Sequence, residues 1–128
     1  MMTYCFDASA IIEITHDGTN ARTFAKALAK AEKVVISAIS IYEVARYTRH
    51  VADEAATREI LTFLYQYHIA PVLPDLAENA ALLGAKHKLA MADAIIYATA
   101  LEHHATLWTQ DEDFAGLSHV RYYPKKKS

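Results

Sequence analysis

The sequence predicts one three-layer α/β/α domain with a mostly parallel central sheet, spanning residues 1–128. A chain of 128 residues suits one compact domain, and a hydrophobic fraction of 53% is enough for a substantial core. Short runs rich in β-branched and aromatic residues alternate with longer stretches of helical composition. This alternation indicates βαβ crossovers, in which helices cover both faces of a parallel sheet.

The individual elements follow from this pattern in chain order. Strands are expected at "TYCF" (3–6), "KVVISA" (33–38), "IAPVL" (69–73), "ATLWT" (105–109) and "HVRYY" (119–123). Helices are expected from Ala8 onward and at residues 23–32, 40–68, 76–89 and 91–104. We find no low-complexity linker and no internal repeat, which favours a single domain. The basic tail, residues 125–128, is expected to be mobile.

Composition narrows the setting of the protein. A formal net charge of -2 gives no overall attraction to nucleic acid, so local features would have to hold any polyanion. The single cysteine, Cys5, cannot form an internal disulfide, and "MMTYCFDAS" lacks the basic start and long apolar core of a secretory signal. The apolar runs are shorter than the roughly 18 residues that a membrane helix needs. A cytoplasmic protein without a membrane partner is therefore expected.

Isolated carboxylates occur in the most apolar segments of the chain. Asp7 is the one charge in "TYCFDASAII", Glu43 in "VVISAISIYEVA" and Asp93 in "LAMADAIIYATAL", while "ATLWTQDEDF" supplies Asp111 and Asp113 directly after a strand. An ionised carboxylate removed from water is unfavourable by several kcal/mol unless it is paired or coordinated. These acids therefore need a compensating partner.

The positions of the acids suggest that partner. Asp7 and Asp111 follow predicted strands, whereas Glu43 and Asp93 lie at or near the start of predicted helices. In open α/β sheets the ligand crevice lies outside the carboxyl ends of the strands, so the four acids could converge there. Clustered carboxylates repel one another unless a divalent cation lies between them. Oxygen ligands without Cys or His favour Mg²⁺ or Mn²⁺ over Zn²⁺.

Each acid also has a structural explanation. Asp7 could cap the helix that starts at Ala8. Glu43 could form a capping box with Ser40 in "SIYE" and pair with Arg46. Asp93 could be the N-cap of its own helix. Asp111 and Asp113 could be turn or cap residues. The occurrence of all these acids in otherwise uncharged surroundings favours one shared site.

The motifs "FDASAII", "SAISIYEV", "MADAIIYATAL" and "LWTQDEDF", in this order, resemble the PIN-domain ribonucleases, in particular the VapC-type toxins of toxin–antitoxin pairs. The resemblance covers essentially the whole chain. It implies that Asp7, Glu43, Asp93 and Asp111 form the metal site, with Asp113 a candidate for the same corner. Ser9 and Thr109 match hydroxyl residues that support such a site.

This resemblance implies a divalent-metal-dependent endoribonuclease that hydrolyses RNA phosphodiester bonds and acts as the toxin of a type II toxin–antitoxin system. A second copy of the chain and an antitoxin are the implied protein partners. Basic residues must hold the RNA backbone near the carboxylates. The candidates for this role are Arg46, Arg49, Lys86, Lys88 and the tail lysines 125 to 127.

Two departures from the family pattern affect these expectations. The connection before "MADA" is shorter than usual, which could alter substrate or partner contacts. Gln110 stands where many relatives have Arg or Lys, so the local field is less positive.

Two other functions stay open. A PIN-like module could bind RNA or protein without catalysis. A receiver-like signalling domain also gathers acids at strand ends, but it usually has an adjacent acidic pair early in the chain, which "FDAS" lacks. The seven histidines show no zinc-binding spacing, so we interpret them as structural or surface residues.

Overall fold

The computed structural model describes residues 2–126, which form a five-stranded, all-parallel sheet between two helical layers. The strands are β1 (Thr3–Phe6), β2 (Lys33–Ser37), β3 (His68–Ala70), β4 (Thr106–Thr109) and β5 (Val120–Tyr122). The helices are α1 (Ala8–Thr15), α2 (Ala21–Lys30), α3 (Ala38–Val51), α4 (Glu54–Leu64), α5 (Pro74–His87) and α6 (Met91–Glu102), with a short 3₁₀ helix at Glu112–Phe114. The strand order across the sheet is β3, β2, β1, β4, β5. The predicted three-layer class is confirmed.

The central strand β1 shows how the sheet separates two cores. Its residues alternate between the two faces, as a pleated strand requires. Phe6 packs into a cluster with side chains of α1, α2, α3 and α4, whereas Cys5 packs on the other face with α6 residues such as Ile96 and Tyr97. Helix α5 packs against α6 through Leu76 and Ala80. Both faces of the sheet are thereby covered.

The prediction of a single helix over residues 40–68 was wrong, because two helices, α3 and α4, occupy most of this range. The chain leaves the helical conformation at Ala52 (φ -136°, ψ -117°), and α4 begins after Asp53, whose side chain accepts a hydrogen bond from the Ala56 N–H at 2.8 Å. An N-cap aspartate satisfies a free N–H of the first helical turn and so starts a new helix. The end of the predicted helix is instead a turn followed by β3, which begins at His68.

Other boundaries shift by one to three residues, and two of the differences have a clear physical reason. The strand expected at "IAPVL" ends at Ala70, because Pro71 has no N–H to donate to the sheet, and Pro74 opens α5 at a position where that loss costs nothing. The expected capping box at Ser40 is wrong, since Ser37 caps α3 by accepting the Ile39 N–H at 3.2 Å. Ser40 lies inside the helix.

Within residues 2–126, no helix is long and apolar enough to cross a membrane. Of the predicted mobile tail, Lys125 and Lys126 are exposed and belong to neither a helix nor a strand. Lys127 and Ser128 lie outside the described residues. The mobility of this tail stays a prediction.

Candidate active site

The carboxyl ends of β1 and β4 create one end of the candidate site. These neighbouring strands are parallel, with Phe6 opposite Trp108, so the residues that follow each strand emerge side by side. Asp7 follows β1, and Asp111 lies two residues beyond Thr109, the last residue of β4. The predicted position of both acids at strand ends agrees with this geometry.

Asp7 is a buried carboxylate that accepts hydrogen bonds from three neighbouring groups. Its side chain is 4% exposed. Oδ1 accepts hydrogen bonds from the Ser9 hydroxyl at 2.7 Å and from the Ala10 N–H at 3.0 Å, and Oδ2 accepts one from the Thr109 hydroxyl at 2.6 Å. Asp7 is therefore the N-cap of α1, as its structural explanation expected, and its carboxylate lies close enough to Asp111 for the two charges to repel each other.

The hydroxyls of Ser9 and Thr109 link Asp7 to the segment after β4. Ser9 Oγ accepts the Gln110 N–H at 2.9 Å, and Thr109 Oγ1 accepts the Asp111 N–H at 2.9 Å. Each hydroxyl donates its one hydrogen to Asp7 and accepts a backbone N–H on its lone pairs, which satisfies both groups. The two side chains fix the orientation of the Asp7 carboxylate.

Asp93 is the third residue of α6 and does not cap it. The N-cap is Ala90, which makes no side-chain hydrogen bond. The start of α6 lies close to α5, because a side-chain carbon at Gly84 would be only 3.2 Å from the Ala94 Cβ. Asp93 is half-buried, and its interpretation as the N-cap of α6 is wrong, because Ala90 occupies that position.

Glu43 lies in the second turn of α3 and is half-buried. The expected pair between Glu43 and Arg46 does not form, since the Arg46 guanidinium donates to the Tyr42 hydroxyl at 2.9 Å. Within residues 2–126, the ion pairs involve only Arg49, Arg58 and His103, so no lysine or arginine pairs with any acid of the candidate site.

The closest set of acids is Asp93, Asp111 and Asp113. Each offers a carboxylate oxygen, and the three oxygens lie within 4.8 Å of one another. Asp111 also caps the 3₁₀ helix by accepting the Asp113 N–H at 2.9 Å, which draws these two residues together. Asp7 and Glu43 are not members of this trio, although their charges act on it. The choice between Asp111 and Asp113 is thus not exclusive, because both lie with Asp93.

Burial and the closeness of several carboxylates raise the pKa values of acids in this group. Burial, followed by repulsion from Asp111, Asp113, Glu43 and Asp7, raises the pKa of Asp93 from 3.8 to about 7.

The pKa values of Glu43 and Asp7 are raised as well. Burial chiefly raises the pKa of Glu43, with added repulsion from Asp7 and Asp111. Burial also raises the pKa of Asp7, against the lowering effect of its hydrogen bonds to Thr109, Ser9 and Ala10. The group lacks a positive charge.

A divalent cation fits this donor set. The trio consists of carboxylate oxygens alone, which suits Mg²⁺ or Mn²⁺ better than metals that prefer nitrogen or sulfur. A cation among these oxygens would offset the repulsion that raises the pKa of Asp93.

The basic residues proposed to hold RNA are dispersed. Arg49 is paired with Glu54, its Nε lying 2.7 Å from Oε2. Arg46 lies with Glu43 in one surface depression. Lys86 and Lys88 are exposed at the carboxyl end of α5, just before the helix that carries Asp93. Of these four, Arg46 shares its surface depression with a site acid, Glu43.

Sequence reasoning missed a buried amide pair next to the site. The Asn20 side chain donates to Gln110 Oε1 at 2.7 Å, and the two residues are 2% and 5% exposed. They are 90 residues apart in the chain, and Asn20 lies in none of the motifs quoted above. One indication of this pair was present in the sequence, because Gln110 stands at a position where many members of the family have Arg or Lys.

The raised pKa of Asp93 predicts a pH-dependent effect of Asp93→Asn on stability without metal. Because the folded pKa is about 7 and the ordinary value is 3.8, the folded chain keeps a proton that the unfolded chain loses between these pH values. Wild-type stability therefore falls as pH rises through this window. In EDTA, the melting temperature of the variant should exceed that of wild type by more at about pH 8 than at about pH 5.

Thermal melts of both proteins in EDTA across this range test the prediction. Other titrating groups, such as His103, also change the melting temperature with pH, because burial lowers the pKa of His103. Their contribution is the same in both proteins and cancels in the comparison. An equal difference in melting temperature at all pH values would contradict a raised Asp93 pKa.

Comparisons with known proteins agree with this fold. The sequence profile of the PIN domain family matches residues 4–120. A toxin–antitoxin complex from Klebsiella pneumoniae contains a chain that is 30% identical, with a TM-score of 0.80 over 94% of this chain and 98% of that one. Among curated protein sequences, none matches significantly.

Two more distant structures share the fold. The VapC20 toxin of Mycobacterium tuberculosis, described as cleaving the sarcin-ricin loop, is 19% identical, with a TM-score of 0.75 over 92% of this chain and 98% of that one. VapBC2 from Rickettsia felis, bound to a promoter DNA fragment, is 18% identical, with a TM-score of 0.74 over 96% and 98%. The profile match over residues 4–120 establishes the family: the chain belongs to the PIN domain family and has the fold of VapC-type toxins.

Proposed function

We propose that this protein is a divalent-metal-dependent endoribonuclease and the toxin of a type II toxin–antitoxin pair. One observation carries the proposal: the oxygens of Asp93, Asp111 and Asp113 lie within 4.8 Å of one another, with Asp7 and Glu43 close enough to raise the pKa of Asp93. Such an arrangement is unfavourable for folding alone, since no cation of the described residues pairs with it.

The chain's own residues would divide the work of hydrolysis. Asp93, Asp111 and Asp113 would hold the metal, with Glu43 and Asp7 completing the negative environment. A Mg²⁺ or Mn²⁺ ion held by these residues would lower the pKa of a water molecule and would offset charge on the leaving oxygen of the phosphodiester. Ser9 and Thr109 keep Asp7 oriented by their hydrogen bonds. No side-chain nucleophile is required.

The likeness to toxin–antitoxin complexes supports an antitoxin as a partner of this chain. We extend the proposal to a second copy of the chain, as the resemblance implies. A location in the cytoplasm, where RNA targets are present, completes the proposal. Membership of the PIN domain family leaves no basis for the receiver-like alternative. A cleavage assay distinguishes a nuclease from a module that binds RNA or protein without catalysis.

The decisive test is cleavage of a mixed pool of structured RNAs by the purified protein. We expect cuts with Mg²⁺ or Mn²⁺, none with EDTA, and none with Asp7→Asn. Glu78→Gln, which removes an exposed acid on α5, is the matched control and should cut as wild type does. Calorimetric titration with Mn²⁺ accompanies the assay. Metal binding without cleavage of any RNA would favour the binding module, and cleavage in EDTA would contradict the proposed mechanism.

A further inference from the structure

The segment after β5 is fastened to the residues behind the acidic group. The Tyr123 N–H donates to the Thr109 carbonyl at 2.9 Å, and its ring stacks on Trp108 with centroids 5.8 Å apart and planes at 6°. The Tyr123 ring also meets the edge of Phe24 at 5.7 Å. The chain is therefore held in place two residues before Lys125.

Asn20 makes a second attachment with both hydrogens of its amide. One goes to Gln110 Oε1 at 2.7 Å, and the other goes to the Pro124 carbonyl at 2.9 Å. Gln110 in turn donates its backbone N–H to Ser9 Oγ, and Ser9 donates to Asp7. A continuous series of hydrogen bonds thus joins the carbonyl before Lys125 to the buried carboxylate.

Lys125 and Lys126 consequently line the same groove as the site acid Glu43, together with Ser9 and Gln110. The groove has a volume of about 690 Å³. Among residues 2–126, neither lysine takes part in an ion pair. Both ammonium groups are thus available to a ligand.

The groove also carries negative charge and an aromatic surface. Glu13 and Asp17 line it, so an anionic ligand would be repelled without the two lysines. His16 and Tyr47 meet edge to face, with ring centroids 5.7 Å apart, and both residues line the groove. Positive charge combined with aromatic faces is the usual composition of a channel for single-stranded nucleic acid.

We propose that Lys125 and Lys126 bind phosphate groups of the RNA strand beside the bond that is cut, and that Asn20 and Gln110 are positioning residues that hold this segment over the groove. This inference rests on the proposed function, because it assigns the path of the same RNA. Gln110, which cannot itself supply a positive charge, contributes by anchoring the segment that does.

The first test is the double substitution Lys125→Gln and Lys126→Gln. Binding of a short fluorescein-labelled single-stranded RNA is followed by anisotropy in Mg²⁺ at several salt concentrations, with Asp93→Asn in every protein to keep the RNA uncut. Each phosphate contact on a single strand contributes about 0.7 to the slope of log K against log salt, so the slope should fall by about 1.4. Affinity should fall about 10- to 30-fold at about 0.1 M salt.

The matched control is Lys26→Gln with Lys30→Gln, which removes the same charge from exposed positions on α2. An equal change of slope in both double variants would overturn the proposal, because the effect would then reflect net charge alone. Absence of RNA binding in every protein would also overturn it. The proposed nuclease activity is judged separately by the cleavage assay, so the two failures are distinguishable.

A second variant tests the positioning role. Asn20→Ala removes both side-chain bonds and should reproduce the lowered salt slope, with little further loss when it is combined with the lysine substitutions. Trypsin should cut after Lys125 faster in this variant. In cleavage of the RNA that wild type cuts best, KM should rise while kcat stays within about twofold, since the lost phosphate contacts bind the ground state and the transition state equally. A wild-type salt slope in Asn20→Ala would remove the positioning role.

Discussion

Asp93→Asn is expected to abolish metal-dependent RNA cleavage while making the metal-free protein more stable. An amide oxygen is a weaker metal ligand than a carboxylate. Replacing a residue that only hydrogen-bonds to a metal ligand lowers activity by up to about 100-fold, so replacing a ligand itself should lower the cleavage rate by at least about 100-fold. The same change removes the charge that four neighbouring acids repel. A melting temperature higher by roughly 4 °C in EDTA corresponds to about 1 kcal/mol of relieved repulsion after allowance for solvent screening.

Cleavage of the RNA pool and thermal melts on the same preparations measure both effects. Glu78→Gln is again the control, because it removes a negative charge from an exposed site and should change neither quantity. A variant that loses activity and stability together would indicate a structural role for Asp93. Unchanged cleavage would remove this residue from the mechanism.

Thr109→Val is the second change with a large expected effect. Valine has nearly the same shape but no hydroxyl, so Asp7 Oδ2 loses its donor at 2.6 Å and the Asp111 N–H loses its acceptor. Asp7 keeps its bonds to Ser9 and Ala10, but a buried charged oxygen and a backbone N–H that lose their partners together cost about 2–3 kcal/mol, and the pKa of Asp7 should rise further. Because Asp7 and Asp111 would no longer be held together, Mn²⁺ affinity should fall about 10- to 100-fold.

Denaturant unfolding and calorimetric titration with Mn²⁺ check these values. Thr57→Val is the matched control, since Thr57 is equally buried and its hydroxyl donates to the backbone carbonyl of Asp53. In the described part of the chain, Thr57 makes no hydrogen bond to an acid of the candidate site. That variant should lose stability without losing metal affinity. Equal metal affinities in wild type and Thr109→Val would contradict the supporting role of Thr109.

The layered fold was predictable because its signals are local and repeated. β-rich runs alternating with helical composition indicated the crossovers, and the neighbouring strands β1 and β4 lie where "TYCF" and "ATLWT" were expected. The break between α3 and α4 was missed because it contains no glycine or proline. Asp53 was the available signal, but an aspartate inside a long helical pattern also reads as a surface residue.

The candidate site was predictable only in part. Isolated acids such as Asp7 and Asp93 stand out because charge is rare in apolar segments. Their hydrogen-bond partners do not, since Asn20 and Gln110 belong together only after the sheet has brought distant segments to one edge. The location of Lys125 depends on the same long-range contacts. Periodicity and capping rules describe neighbours in the chain and cannot report such pairs.

The central place of β1 has a consequence for synthesis on the ribosome. Of the described strands, β1 is made first, yet one of its two edges pairs with β4, which is made about a hundred residues later. Until β4 leaves the exit tunnel, that edge has unpaired backbone groups open to other chains. Asp7 likewise has no Thr109 or Asp111 beside it. A nascent chain therefore has no assembled acidic group, and any activity of this site begins only after β4 has joined the sheet.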